Sequence, residues 1–187
     1  MIANEWLLKY NLENIDTIKN LIEKCKYDLV DHKDRSTKGK LSKQWVFDVY
    51  GTEFNVLGNY IKKELKSLEQ DFFNMNDLVC NAACMVEGQK GSYHRLHRHT
   101  RADRELDRPH HLNLAVVIYL DVPGVDDDTG EFYFLLKKEK DVIIDSIYPK
   151  VGDIFIMPCT VWHGVYPQGP GVRRTLNIDF EHKDLHG

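Results

Sequence analysis

Residues 93–111 read YHRLHRHTRADRELDRPHH and hold five of the chain's nine histidines. Imidazole is the commonest metal ligand near neutral pH, because its unprotonated ring nitrogen offers a lone pair. Successive side chains of a strand point to opposite faces. His97 and His99 then share a face with Tyr93 and Arg95, and His94, Leu96 and Arg98 point away. Two imidazoles at i and i+2 can share one ion. A third ligand must come from elsewhere, and the best candidate is His163 in MPCTVWHGVYP, just after the apolar GDIFIMP. Ten residues beyond it, RRTLNIDF puts Arg173, Thr175, Asn177 and Asp179 on one face and Leu176, Ile178 and Phe180 on the other. The apolar set reads as buried. The polar set begins with a guanidinium fork and a hydroxyl, groups suited to a carboxylate.

Those residues need a scaffold. Residues 1–75 read mostly as helix. NIDTIKNLIEKCKYDLVDH spaces Ile15, Ile18, Leu21, Ile22, Cys25 and Leu29 by three and four, an amphipathic pattern. KDRSTKGKLSK is a polar loop. GTEFNVLGNYIKKELKSLEQDF predicts a second helix starting at Gly51 or Thr52, with Phe54, Leu57, Ile61, Leu65 and Leu68 on one stripe. From residue 78 the period becomes two. LVCNAACMV, SYHRLHRH, HLNLAVVIYLDV, EFYFLL, VIIDSIY, DIFIMP, HGVYP and RRTLNIDFE predict seven or eight strands, most separated by Gly, Pro and Asp turns. HLNLAVVIYLDV is the most apolar and is expected to be central. Short strands with such turns imply a mainly β sandwich or jelly roll, with the helices covering one sheet face. No break divides the chain, so residues 1–187 are expected to form one domain: a helical support over 1–75 and a jelly-roll core over 78–182.

With 187 residues, 42% hydrophobic and 29% charged, the chain has the composition of an ordered globular protein. A formal net charge of −4 gives no general affinity for nucleic acid. A local basic patch around Arg95, Arg98 and Arg101 is the one exception. No apolar run approaches the ~18 residues a bilayer needs. Cys25, Cys80, Cys84 and Cys159 form no CxxC pair, and no signal peptide is evident, so reduced thiols in a cytoplasmic setting are expected. Cys80 and Cys84 read as packing residues.

A histidine pair before an apolar YL strand, a distal histidine, and Arg-x-Thr ten residues later resemble the iron(II)- and 2-oxoglutarate-dependent oxygenases. The layout is closest to the prolyl-hydroxylase-like branch and its phage-type relatives. The likeness runs over residues 78–182 and is strongest in GSYHRLHRH, in LNLAVVIYLDVPG with TGEFYF, and in VGDIFIMPCTVWHGVYPQGPGVRRTLNIDF. It implies a double-stranded β-helix, Fe(II) held by His97 and His163, and 2-oxoglutarate anchored by Arg173 and Thr175. Tyr119 would touch the same cosubstrate, and Asn113 and Val117, on its strand face, would line the pocket. Arg174 would replace Arg173 if a bulge near Gly171 shifted the register. The implied activity is hydroxylation of a small-molecule or peptidyl substrate, with a protein or amino-acid side chain favoured. TRADRELDRP is either a solvated charged loop or a lid over the metal.

One position departs from the family, which has Asp or Glu where this chain has His99. Three arrangements answer that departure: His99 is the third ligand, a nearby acid such as Asp103 swings in, or water or an anion takes the place. His32 with Asp34 and His182 with Asp184 also form His-x-Asp triplets, but neither precedes the YL strand. Three neutral imidazoles would leave iron(II) at net +2, where two imidazoles and a carboxylate leave +1. A dianionic cosubstrate would feel the difference in a poorly screened site. Two other functions fit the same residues: a three-histidine cupin-type enzyme that uses no 2-oxoglutarate, and a non-catalytic jelly roll that binds a ligand. Arg173 beside Thr175 speaks against the first, which has no carboxylate to hold. His94, His110 and His111 read as structural or solvated, and Trp162 as packing.

Overall fold

The computed structural model describes residues 6–30, 39–40, 43–68, 73–99, 113–123, 129–138 and 141–183. Two antiparallel sheets face each other. The larger has the order β1 (Leu8–Asn11), β10 (Asp153–Pro158), β7 (Leu114–Asp121), β12 (Arg173–His182), β5 (Leu78–Gly88), β4 (Lys43–Phe47), β2 (Tyr27–Val30). The smaller has the order β3 (Gly39–Lys40), β6 (Tyr93–His97), β11 (Trp162–Val165), β8 (Phe132–Lys138), β9 (Asp141–Ile147). This is the expected jelly roll, and all eight strands expected after residue 78 are present. The apolar β7 is interior, with seven of its eight residues buried.

Two apolar layers share the larger sheet. On its outer face, α1 (Ile15–Ile22) and α2 (Thr52–Lys66) bury Ile18, Phe54, Leu57, Ile61 and Leu65 against Ile118, Ile156, Leu176, Ile178 and Phe180. On its inner face, Val117, Tyr119, Phe155 and Met157 meet Phe132, Phe134, Val161 and Val165 of the smaller-sheet side. The alternation of β7 and β12 is therefore double duty: even positions face the helices and odd positions face the second sheet. α2 starts at Thr52 after an extended Gly51, and Glu53 in its first turn and Lys63 and Lys66 in its last complement the helix dipole. Among the described residues no helix is long and apolar enough to cross a membrane. Phe180→Ala is expected to cost about 3–5 kcal/mol, because the ring is fully buried between sheet and helices; urea unfolding followed by fluorescence checks it.

The N-terminal part corrects the mostly helical expectation. α1 ends at Ile22, and Tyr27–Val30 is an edge strand paired with β4, Tyr27 opposite Phe47 and Leu29 opposite Trp45. Leu29, expected on the helix stripe, is 63% exposed. Cys25 does face the core, from the turn between the two elements. Cross-strand pairing with an aromatic-rich neighbour outweighs the weak helix propensity of Tyr, Asp and Val here. β1 and β4 likewise lie in the segment read as helix or loop.

Candidate metal centre

β6 and β11 are antiparallel neighbours in which His163 sits directly opposite His97. Directly opposed residues hold their Cβ atoms about 4.5–5.5 Å apart, so this register alone brings two imidazoles together. His99 lies two residues beyond the end of β6, where its backbone N–H donates to the Cys159 carbonyl at 3.0 Å. The ring centroids are then 4.5 Å apart for His97 and His163, 4.9 Å for His99 and His163, and 5.4 Å for His97 and His99.

The hydrogen bonds of the rings decide their chemistry. His97 Nδ1 meets the Arg95 carbonyl at 2.7 Å and His163 Nδ1 the Val161 carbonyl at 3.0 Å. His99 Nδ1 meets the Asp179 carboxylate at 2.5 Å. All three partners are acceptors, so each Nδ1 must carry the proton, and in the neutral ring each Nε2 keeps its lone pair. The Nε2 atoms of His99 and His163 lie 3.2 Å apart, and one ligand atom from each histidine lies within 4.8 Å of the others. Two facing lone pairs repel unless a proton or a cation lies between them. A proton is disfavoured at His163, because burial and then the neighbouring His99 and His97 hold it well below the usual imidazole range. A cation remains. Ligand bonds of about 2.0–2.1 Å place adjacent donors roughly 3.0–3.4 Å apart, which the His99–His163 spacing matches. Imidazole donors suit iron, zinc, copper and nickel.

The cluster opens into a cavity of about 500 Å³ between the sheets. Arg173, Thr175, Asn177 and Asp179 all line it, as their shared strand face requires. Arg173 is only 5% exposed. Among the described residues no carboxylate pairs with it, and its one hydrogen bond is a long 3.5 Å contact to the Gly130 carbonyl. Burial pushes its pKa down and the Tyr119 phenol partly restores it. Among the described residues the Tyr119 hydroxyl is itself buried without a hydrogen-bond partner, and desolvation raises its pKa to about 12. The guanidinium lies in a sleeve of two glycines: a Cβ on Gly88 would come within 3.3 Å of its Nη2, and one on Gly130, at φ +85°, within 3.4 Å of its Nη1. A buried cation and a buried orphan hydroxyl on one cavity wall form a receptor for an anionic oxygen group. Arg174 points the other way and bonds Glu87 at 3.0 Å and Asp121 at 3.4 Å.

Several sequence expectations are corrected. His94 lines the cavity with His97, and their rings meet edge to face at 5.6 Å. The cause is a register shift in the β6–β11 pair, three residues on β6 spanning two on β11, which breaks the alternation of faces. Arg98 also reaches the lining, with its guanidinium 5.3 Å over the half-exposed Trp162 ring. Val117 lines the cavity with Tyr119, but Asn113 does not. Its side-chain oxygen accepts from the His182 backbone N–H at 3.1 Å. It stands six positions before Tyr119, about 20 Å of extended chain, so sharing a face does not bring it to the same site. Gln44 joins the lining without having been singled out, as do Cys84, read as a packing residue, and Asp179, given a face but no role. The alternating polar pattern of β12 was the one sign of Asp179. None of the four cysteines forms a disulfide. Arg101, Asp103, His110, His111, His32, Asp34, Asp184, His186 and the whole of the TRADRELDRP segment lie outside the described residues.

No sequence-family profile matches the chain, and no curated protein matches it by sequence. Solved structures do match. A Pseudomonas putida prolyl-4-hydroxylase is similar at TM-score 0.60 and 15% identity, over 97% of this chain and 95% of that one. The viral collagen prolyl hydroxylase of Paramecium Bursaria Chlorella virus-1, in its 2-oxoglutarate complex, is similar at TM-score 0.63 and 14% identity, over 96% and 98%. HygX from Streptomyces hygroscopicus, with nickel and 2-oxoglutarate bound, gives TM-score 0.65 at 12% identity, over 96% and 84%. The chain thus has the fold of the prolyl-hydroxylase-like 2-oxoglutarate–iron(II) oxygenases.

Proposed function

We propose that this protein is an iron(II)- and 2-oxoglutarate-dependent dioxygenase that hydroxylates a protein or amino-acid side chain. The observation that carries the reading is the pairing, in one cavity, of three imidazoles whose ligand nitrogens lie within 4.8 Å of one another and a buried guanidinium that has no carboxylate partner among the described residues. The donor set fits a divalent transition metal. The orphan Tyr119 hydroxyl and Arg173 fit the far carboxylate of a dicarboxylic cosubstrate.

In this reading His97, His99 and His163 hold iron(II). Arg173 clamps the distal carboxylate of 2-oxoglutarate through its fork, and the Tyr119 and Thr175 hydroxyls add hydrogen bonds. When bound, the iron and 2-oxoglutarate supply oxidative decarboxylation with dioxygen, giving succinate, carbon dioxide and a hydroxylated C–H position. The chain orients both and keeps them dry: Val117, Phe132 and Val165 close the cavity around Arg173 and His163. The part of the wall that β4 and β5 supply, Gln44, Val46, Ala82 and Cys84, is uncharged. It suits a neutral substrate group such as a peptide segment.

The test is direct. Iron(II) and 2-oxoglutarate mixed with the protein under nitrogen are expected to give a visible charge-transfer band, and admission of air is expected to yield succinate. A metal-loaded protein with neither band nor 2-oxoglutarate affinity is instead a three-histidine enzyme of the cupin type. A protein that takes up no metal is a non-catalytic jelly roll.

A further inference from the structure

We propose that Asp179 is a positioning residue of the metal centre, orienting His99 from behind and returning the negative charge that a three-imidazole ligand set lacks. The inference rests on His99 being a ligand. Asp179 lies on β12 and contacts His99 Nδ1 at 2.5 Å, on the ring edge away from His163. It is therefore not itself one of the converging donors. Among the described residues the His99 ring is its only side-chain hydrogen-bond partner. The β12–β5 register shifts between Asp179 and Phe180, and such irregularities re-aim a side chain.

Two consequences follow from that contact. The carboxylate accepts the Nδ1 proton, which fixes the tautomer that leaves Nε2 bare, and it locks the ring about its Cβ bond. His97 and His163 achieve the same with backbone carbonyls, which carry no charge. Only His99, at the position of the family's missing acid, is backed by a carboxylate. The charge count then closes. Iron(II) with three neutral imidazoles stands at +2, and Asp179 brings the assembly to +1, as a directly bound carboxylate would. A carboxylate behind a metal-bound imidazole also raises the basicity of that ligand.

Cobalt(II) binding to the intact protein tests this without turnover. Asp179→Asn keeps the shape and the acceptor oxygen but removes the charge. It is expected to weaken cobalt(II) affinity about 10–100-fold and to shift the cobalt absorption bands. Asp179→Glu should recover part of the affinity. In a His99→Ala background the same Asp179→Asn change is expected to have no further effect on the affinity that remains. An unchanged affinity and spectrum in Asp179→Asn, or an equal drop in both backgrounds, would overturn the positioning role while leaving the metal site standing. If the unmodified protein binds no cobalt(II), the metal reading itself fails and takes this inference with it. Circular dichroism confirms that each variant is folded.

Discussion

Arg173→Ala is expected to lower 2-oxoglutarate affinity by about 100-fold or more and to leave iron uptake unchanged. Truncating one partner of a buried, hydrogen-bonded charge pair costs about 2–5 kcal/mol, and each 1.4 kcal/mol is tenfold. Arg173 meets the conditions for the upper part of that range: it is buried, and no protein carboxylate competes for it among the described residues. Arg173→Lys should retain a point charge but lose the fork, and is expected to fall between the two. Arg174→Ala is the control. Its side chain is already engaged by Glu87 and Asp121 on the far side of the strand, so cosubstrate affinity should not move. The same geometry sets an opposite effect on stability. Burial disfavours the charged guanidinium in the folded protein, and lowers its pKa accordingly. Arg173→Met, which removes that charge and keeps much of the volume, is therefore expected to raise the Tm of the ligand-free protein. It should also abolish the further rise that 2-oxoglutarate gives the unmodified chain by mass action. Thermal melts with and without 2-oxoglutarate check both halves. Normal 2-oxoglutarate binding by Arg173→Ala would remove the clamp from this residue.

The same residue illustrates what one sequence can reveal. A strand alternates its faces, so RRTLNIDF alone places Arg173 with Asp179 and opposite Phe180, and all three lie as the pattern requires. The distal His163 and the pair His97–His99 were legible from type and spacing. What alternation cannot supply is register between strands. The irregularity in β6 turns His94 into the cavity, and nothing in YHRLH marks it. Asn113 fails for a related reason: its face was right and its distance along the strand was wrong. Asp179 was placed on the correct face, but its partner comes from beyond the end of β6, in the other sheet. The N-terminal strands were hidden by coincidence. Cys25 and Leu29 continue the three-and-four spacing of α1, although the chain has already turned to pair Tyr27–Val30 with β4. A periodic pattern reports which residues want burial, and it does not report where a neighbouring strand will compete for the backbone.

His163→Ala is expected to lower metal affinity more than 100-fold, about the limit for loss of a supporting partner rather than a ligand. His163 lies at the centre of the cluster: it stands opposite His97, approaches His99 at 3.2 Å, and is 4% exposed with its ring stacked 5.5 Å from Phe132. Removing it takes away one donor and admits water to the cavity beside the other two. The space it leaves is imidazole-shaped, so added imidazole should restore part of the metal binding. Recovery of that kind separates a lost ligand from a damaged fold. The comparison with His99→Ala then separates ligation by His99 from the other two arrangements for the unusual third position. If His99 ligates, both variants lose metal, and His99→Ala does so although the ring is closer to the rim. If an acid such as Asp103 or a solvent anion fills that place, only His163→Ala loses metal and His99→Ala retains it. Iron content after equilibrium dialysis measures the difference, and full occupancy in His99→Ala would remove His99 from the ligand set.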